Sequence, residues 1–291
     1  MNVSFIGVGA IGLPMARRLI PHCNVTVFDL AKERVAELVQ LGATAAETAA
    51  KAAAASDIVI LMVATPAQLE QAVFGPDGAA EGFKIGATAI VMSSVGIESV
   101  ATVAEKLKTQ HVKVVDAPVT GGVVRAVTGE LTILISGAED DIEKVTPVLE
   151  HLGTNLSRSG DKVGDGQAVK LVNQLLCSVH LAVAGEALNF AKKLGLDPEA
   201  VLQTVGAGAA ASFMLNDRGP RMLATDEPPV LSAVDIFVKD STLVKEAAAR
   251  VGAHVPLLEE SNAKFRVVSD AGLGRVDDSA VIRAFETEPD A

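Results

Sequence analysis

A chain of 291 residues is about twice a common domain length, so two domains are expected, each able to bury a core of its own. Its formal charge of −11, with no local basic patch to offset it, repels a phosphate backbone and excludes nucleic acid as a partner. With 49% hydrophobic and 21% charged residues the chain is not of the disordered class, and no uninterrupted apolar run reaches the roughly 18 residues of a membrane span.

The opening residues Met1-Asn2-Val3-Ser4-Phe5 read as a strand, and no basic segment precedes an apolar stretch, so no signal peptide is expected. Further strands are predicted at 24–29, 57–63, 88–92, 112–116 and 131–136, the first continuing over 2–7. Helical patterns lie between them, near 10–21, 31–41, 66–73, 97–109 and 139–150. The runs Ile58-Val59-Ile60-Leu61-Met62-Val63 and Lys113-Val114-Val115-Asp116 are near-continuously apolar, as parallel strands covered on both faces are. Strands alternating with helices imply βαβ units and a doubly wound sheet.

The polar, glycine-rich stretch from Ser157 to Gly166 reads as a domain junction, dividing the chain into residues 1–162 and 163–291. Beyond it a helix is predicted from Gln167 to Leu194, with Asp165 as N-cap, Lys192 and Lys193 favouring its C-terminal dipole and Gly195 as its stop. That helix is apolar on almost every face, so it should be central, with a subunit contact on one side. The remainder reads as helices at 198–207, 212–223, 232–251, 256–271 and 277–285. The expected fold class is therefore an α/β Rossmann-type doubly wound N-terminal domain plus an all-α C-terminal domain. The two cysteines, Cys23 and Cys177, form neither a disulfide framework nor a zinc spacing, so no metal site is expected and a reducing, cytoplasmic location is.

Gly7-Val8-Gly9-Ala10-Ile11-Gly12 follows the first strand and opens the first helix, the context a dinucleotide fingerprint requires. Gly7 permits the turn, Gly9 lets the backbone approach a pyrophosphate and Gly12 lets helix and strand pack. Ala10 and Ile11 lie at the helix N-terminus, where free N–H groups receive the pyrophosphate. The second strand ends in Asp29, 20 residues after Gly9. An acid there hydrogen-bonds ribose hydroxyls and repels a 2′-phosphate, so NAD is expected over NADP. Asp29 can also be read as a cap on the helix beginning near Ala31, and Lys32 and Arg34 keep NADP open.

Asp116-Ala117-Pro118-Val119-Thr120-Gly121-Gly122 is a strand-end loop whose glycines expose successive N–H groups, with the Thr120 hydroxyl as a further donor. Such a nest can hold a carboxylate; an ordinary glycine turn is the plainer reading. Lys170 shares a helix face with Asn173 and Gln174, a polar trio on an otherwise greasy helix. A lysine so placed either snorkels or lines a site.

Taken together, Phe5 to Ala16, Asp116 to Gly122 and Gly164-Asp165-Gly166-Gln167-Ala168-Val169-Lys170-Leu171-Val172-Asn173-Gln174 resemble the β-hydroxyacid dehydrogenases, the group of 3-hydroxyisobutyrate dehydrogenase and tartronate semialdehyde reductase. The resemblance covers essentially the whole chain. It implies that Lys170 is the catalytic acid/base and that Thr120, Gly121 and Gly122 bind the substrate carboxyl. It also implies that Asn173 and Gln174 face the substrate and that Ser94 and Lys239 contact the cofactor. Ser94 can equally cap the helix from Ile97. Lys170 must be neutral to take a proton, which burial or a nearby cation such as Lys239 would favour.

Two departures narrow the substrate. Gln174 stands where most of the family has a second asparagine, and Val91 where relatives often carry Asp. The segments around Gln174, His180, Ser232 to Asp240 and Asp277 to Ile282 look closest to the L-threonate dehydrogenase branch, which implies NAD-linked oxidation of a four-carbon sugar acid at C2. His180 reads more simply as a core histidine. NADPH-dependent reduction of glyoxylate, succinic semialdehyde or tartronate semialdehyde is the alternative, and a dinucleotide-sensing scaffold the non-enzyme one. A small anionic hydroxyacid is the expected partner, with no nucleic acid and no membrane, and the apolar central helix predicts a homodimer or homotetramer.

Overall fold

The computed structural model describes residues 1–286. The chain divides into two compact units, Met1–Lys170 and Leu171–Ala291.

The first unit is built on nine strands: β1 (Asn2–Ile6), β2 (Asn24–Phe28), β3 (Thr44–Ala45), β4 (Ile58–Leu61), β5 (Thr88–Val91), β6 (Lys113–Asp116), β7 (Val119–Thr120), β8 (Leu131–Ser136) and β9 (Gly153–Gly160). They form one sheet in the order β3-β2-β1-β4-β5-β6-β8-β7, with β9 paired to β8. The six strands from β3 to β6 are mutually parallel, and their order reverses at β1, which makes a crevice at the carboxyl ends of β1 and β4. Alternation along each strand divides its side chains between two cores. Ile58 and Ile60 of β4 join Phe5, Met15 and Leu19 on one face, while Val59 and Leu61 join Ile6, Val103 and Leu107 on the other.

Helices α1 (Gly12–Leu19), α2 (Lys32–Gln40), α3 (Ala49–Ala55), α4 (Pro66–Phe74), α5 (Ile97–Lys108), α6 (Gly122–Thr128) and α7 (Glu139–Leu149) cover the sheet. Thr65 caps α4 by accepting the Gln68 N–H, with Pro66 at the first helical position. The strands and helices expected for this half are present. Four further elements, β3, α3, β7 and α6, are short, and α3, alanine throughout but for Lys51, carries no periodicity to read.

One difference is larger. Gly153–Gly160, whose second half was expected to be a junction, is strand β9, with register shifts against β8. Its composition resembles a linker because an edge strand needs little apolar surface, and its exposed residues Thr154, Asn155 and Arg158 are polar.

Helix α8 (Asp165–Lys193) runs 29 residues and is followed by Gly195 at φ +74°. It alone among the described residues is long and apolar enough to cross a membrane by length and composition, and 44% of its apolar window is buried in the protein. The second unit continues with α9 (Pro198–Gly206), α10 (Phe213–Met222), α11 (Val234–Val251), α12 (Pro256–Val268) and α13 (Arg283–Glu286). The stretch expected as one helix over 277–285 is a 3-10 turn, Asp278–Ile282, followed by α13. Leu181, Leu188, Phe237, Phe265 and Val281 centre its core, and the rings of Phe237 and Phe265 stack at 4.9 Å. Beside them lies a buried ionic cluster in which Arg218 meets Asp217 at 2.6 Å and Asp278 at 3.2 Å, and Arg221 meets Asp277 at 3.1 Å.

Candidate active site

The glycine loop between β1 and α1 is shaped by contacts that leave no choice of residue at two of its three glycines. Gly7 has φ +95°, and a Cβ there would lie 2.3 Å from the Met62 carbonyl at the end of β4. At Gly12 a Cβ would lie 2.3 Å from the Gly7 carbonyl. Gly9 differs: the position of its absent Cβ is open, the nearest atom being Arg34 Nη1 at 3.7 Å. The loop is thus a cradle closed behind and open in front, at the switch point of the sheet, and a dinucleotide pyrophosphate fits it. Ala10 is exposed and Ile11 half-buried at the mouth of α1.

Asp29 follows β2 and ties the loop to it. Its Oδ2 accepts the Val8 N–H at 2.6 Å and its Oδ1 the Ala31 N–H at 2.7 Å. Asp29 thus forms a turn ahead of α2 rather than capping it, since Ala31 takes the N-cap and no side chain caps the helix, and each oxygen keeps lone pairs for a further donor. Arg34, on α2, donates to the Val8 carbonyl at 3.4 Å and so brings a guanidinium over the same loop.

At the end of β5 the backbone turns through Ser93, Ser94, Val95 and Gly96 into α5. Gly96, at φ +81°, occupies the N-cap of α5 and no side chain caps it, so Ser94 is not the helix cap. Ser94 is half-buried. Ser93 accepts the Val63 N–H at 2.8 Å, joining this turn to the end of β4. Val91, opposite Asp116 in the β5–β6 register, is fully buried and apolar.

β6 and β7 both run antiparallel to β8, so the chain from Asp116 to Thr120 continues in one direction beyond the parallel sheet. It ends in Thr120, Gly121 at φ +129° and Gly122 at φ +70°, two successive positive-φ glycines at the start of α6. The Cβ position at Gly122 is open, with nothing within 4 Å, whereas at Gly121 it is filled by the Arg125 side chain.

Helix α8 begins at the same carboxyl edge. Asp165, expected as its N-cap, is already helical and its Oδ2 accepts the Lys162 N–H behind it at 3.0 Å. The first turn is held instead by Asp116 and Ser136. Asp116 Oδ2 accepts the N–H groups of Gly164 at 3.1 Å and Gln167 at 2.9 Å, and Ser136 Oγ accepts that of Gly166 at 2.9 Å. Burial pushes the Asp116 carboxyl above the ordinary carboxylate range, and the hydrogen bonds from Gln167, Ser136 and Gly164 oppose that shift. One turn past Gln167 stands Lys170, 7% exposed, the last residue of the first unit. Asp116, Ser136 and Gln167 were missed as functional candidates. Their signal was present: a carboxylate ending an apolar strand and a glutamine on an apolar helix both demand partners.

In the second unit, Gln174 is 8% exposed, donates from Nε2 to Asp240 Oδ2 and accepts from Asn173 Nδ2 at 2.8 Å. Asn173 also reaches Cys177 Sγ at 3.5 Å. Lys239 pairs with Asp240 at 2.9 Å, so a polar chain joins Asn173, Gln174, Asp240 and Lys239 across α8 and α11. His180 is half-buried on α8. No group of three or more His, Cys, Asp or Glu among the described residues is placed to hold a metal ion.

Two family sequence models match the chain: the NAD binding domain of 6-phosphogluconate dehydrogenase over residues 2–160, and the NAD-binding domain of NADP-dependent 3-hydroxyisobutyrate dehydrogenase over 164–285. The chain is 35% identical to an L-threonate dehydrogenase of Cupriavidus necator over 98% of its own length and 96% of the relative's. It is 33% identical to a 2-hydroxy-3-oxopropionate reductase of Escherichia coli over 98% and 97%. A solved 3-hydroxyisobutyrate dehydrogenase from Salmonella typhimurium superposes with a TM-score of 0.91 at 34% identity, covering 98% of this chain and all of that one.

Proposed function

Because the chain belongs to the 3-hydroxyisobutyrate dehydrogenase-like family of β-hydroxyacid dehydrogenases, we propose that it oxidises a four-carbon sugar acid such as L-threonate at C2, with NAD as cofactor. The observation that carries this reading is the convergence, at the carboxyl edge of one sheet, of the glycine cradle, the Thr120-Gly121-Gly122 nest and the start of the helix bearing buried Lys170.

Gly7, Gly9, Ala10, Ile11, Gly12 and Asp29 hold the dinucleotide, with Ser94 and Lys239 contacting its nicotinamide half. When bound, that nicotinamide supplies the hydride acceptor. Thr120 and the N–H groups of Gly121 and Gly122 hold the substrate carboxylate, which fixes the adjacent hydroxyl-bearing carbon. Lys170 takes the hydroxyl proton at Nζ in its neutral form and, in the reverse direction, returns it as an ammonium. Gln174 is held by Asn173 and Asp240, so it reads extra substrate hydroxyls as part of an oriented chain rather than as a free arm. Asp29 presents its carboxylate where a 2′-phosphate would be repelled.

The second reading, NADPH-dependent reduction of glyoxylate or of succinic or tartronate semialdehyde, draws on Arg34, whose guanidinium lies over the glycine loop. The measurement that separates them is NADH or NADPH formation across a panel of hydroxyacids of about three to six carbons at mildly alkaline pH, in a pocket where each unmatched hydroxyl costs binding. NAD-linked turnover of L-threonate is expected. Turnover confined to semialdehyde reduction with NADPH would replace this reading with the second. A homo-oligomer, dimer or tetramer, completes the proposal.

A further inference from the structure

We propose that Asp116 and Gln167 form a positioning pair that sets where Lys170 stands relative to the loop Ser93–Gly96. The inference rests on the reading of Lys170 as acid/base.

The Gln167 carboxamide uses its whole hydrogen-bonding capacity. Its Oε1 accepts the N–H groups of Val95 and Gly96, each at 3.0 Å. Its Nε2 donates to the Ser93 carbonyl at 2.9 Å and to Asp116 Oδ1 at 2.8 Å. One side chain therefore clamps the turn that carries Ser94 to the helix that carries Lys170. Asp116 supplies the second clamp. Its Oδ2 takes the Gly164 and Gln167 N–H groups and the Ser136 hydroxyl, so a carboxylate from β6 caps α8 from outside the helix. Gly166 seals the arrangement, because a Cβ there would lie 2.5 Å from the Leu134 carbonyl and 2.9 Å from Asp116 Oδ2.

Lys170 follows Gln167 by three residues, about 4.5 Å further along the axis on nearly the same face. A slip or rotation of the first turn therefore passes directly to the lysine amine, and a displacement of about 1 Å at a reacting group costs roughly 100-fold in rate. The network also has a fixed donor–acceptor parity. Every position around Asp116 faces a donor, so an amide there sets N–H against N–H unless Gln167 flips, and a flipped Gln167 sets N–H against the Val95 and Gly96 donors.

That parity supplies the test. Asp116→Asn and Gln167→Ala should each lower kcat about 100-fold on the best-oxidised acid of the panel, with KM and the NADH dissociation constant changed less than about threefold. The exchanged pair Asp116→Asn/Gln167→Glu restores an amide donor facing a carboxylate acceptor, at the cost of turning a carboxylate oxygen toward the Ser93 carbonyl, and should recover at least about tenfold of kcat over Asp116→Asn. Amide hydrogen exchange at Val95, Gly96, Gly164 and Gln167 should accelerate in both single variants. Gln167→Ala leaves Asp116 its backbone and Ser136 donors and keeps the test readable if Asp116→Asn does not fold. Leu149→Ala, a core truncation away from the network, should lower Tm without this fall in kcat.

The inference is overturned if the single variants keep kcat, or if kcat falls only in step with Tm and the exchanged pair recovers nothing. Lys170→Ala, run alongside, separates the two readings. If it abolishes turnover while the pair variants do not, the pair alone is refuted. If it leaves turnover intact, the acid/base reading falls and takes the positioning inference with it.

Discussion

At the residue scale the chemistry turns on a few side chains whose surroundings restrict what they can do. General acid–base catalysis contributes roughly 10²- to 10⁴-fold, so Lys170→Ala should lower kcat by that order while NADH binding, followed by fluorescence titration, stays intact. Asp29 holds the Val8 and Ala31 N–H groups, and the proposed function also sets it against the ribose. Asp29→Ser keeps an acceptor but removes the charge, and the ratio of kcat/KM with NAD to that with NADP should fall by about tenfold or more, equivalent to roughly 1.4 kcal/mol. Asp116 has a pH signature of its own. Its folded carboxyl is shifted upward, first by burial, so its contribution to stability is present below the ordinary carboxylate value and lost as pH rises through the shifted one. Asp116→Asn does not titrate there. Whatever its offset at low pH, the variant's unfolding midpoint should therefore gain on that of the parent as pH rises through this window. A gap that stays constant or narrows would contradict the upward shift.

At the element scale, the start of α8 is held from outside the helix. Its own acid, Asp165, faces backward to Lys162, and the cap comes from β6 and β8. Gly166→Ala places a methyl group against the Leu134 carbonyl and the Asp116 carboxylate, neither the far end of a flexible chain. Overpacking of this kind costs about 1–3 kcal/mol, which urea denaturation would read, and turnover should fall further than stability because the helix must shift. Strand β9 illustrates how an element can be hidden by its position: at the edge of the sheet, one row of backbone pairing to β8 suffices and its side chains stay polar.

At the scale of the whole molecule, α8 leaves apolar side chains in water. Val172, Leu176, Val183 and Phe190 are 63%, 48%, 51% and 62% exposed, and they recur at helical spacing. Such a stripe is more than a monomer ordinarily leaves uncovered. Sedimentation should accordingly find a dimer or tetramer, and Val183→Glu combined with Phe190→Glu should move the chain toward monomer mass without unfolding it. A monomer in the parent chain would end the proposal.

Much of this protein was legible in the residues alone, for physical reasons. Apolar runs at 57–63 and 112–116 read as strands covered on both faces, and the glycines at 7 and 12 answer to a turn and a packing contact that no other residue permits, while Gly9 leaves the loop open in front. Periodicity and backbone freedom are local properties, so they survive in one dimension. What the tertiary structure alone decided was partnership. The sequence held a carboxylate at 116, a serine at 136 and a glutamine at 167, but nothing local reveals that they share one buried hydrogen-bond network. Likewise it held Gln174 and Asp240 without showing that the one donates to the other. Buried polar groups must be satisfied, but which group satisfies which depends on loops closed over 20 to 66 residues, and only the folded chain brings those ends together.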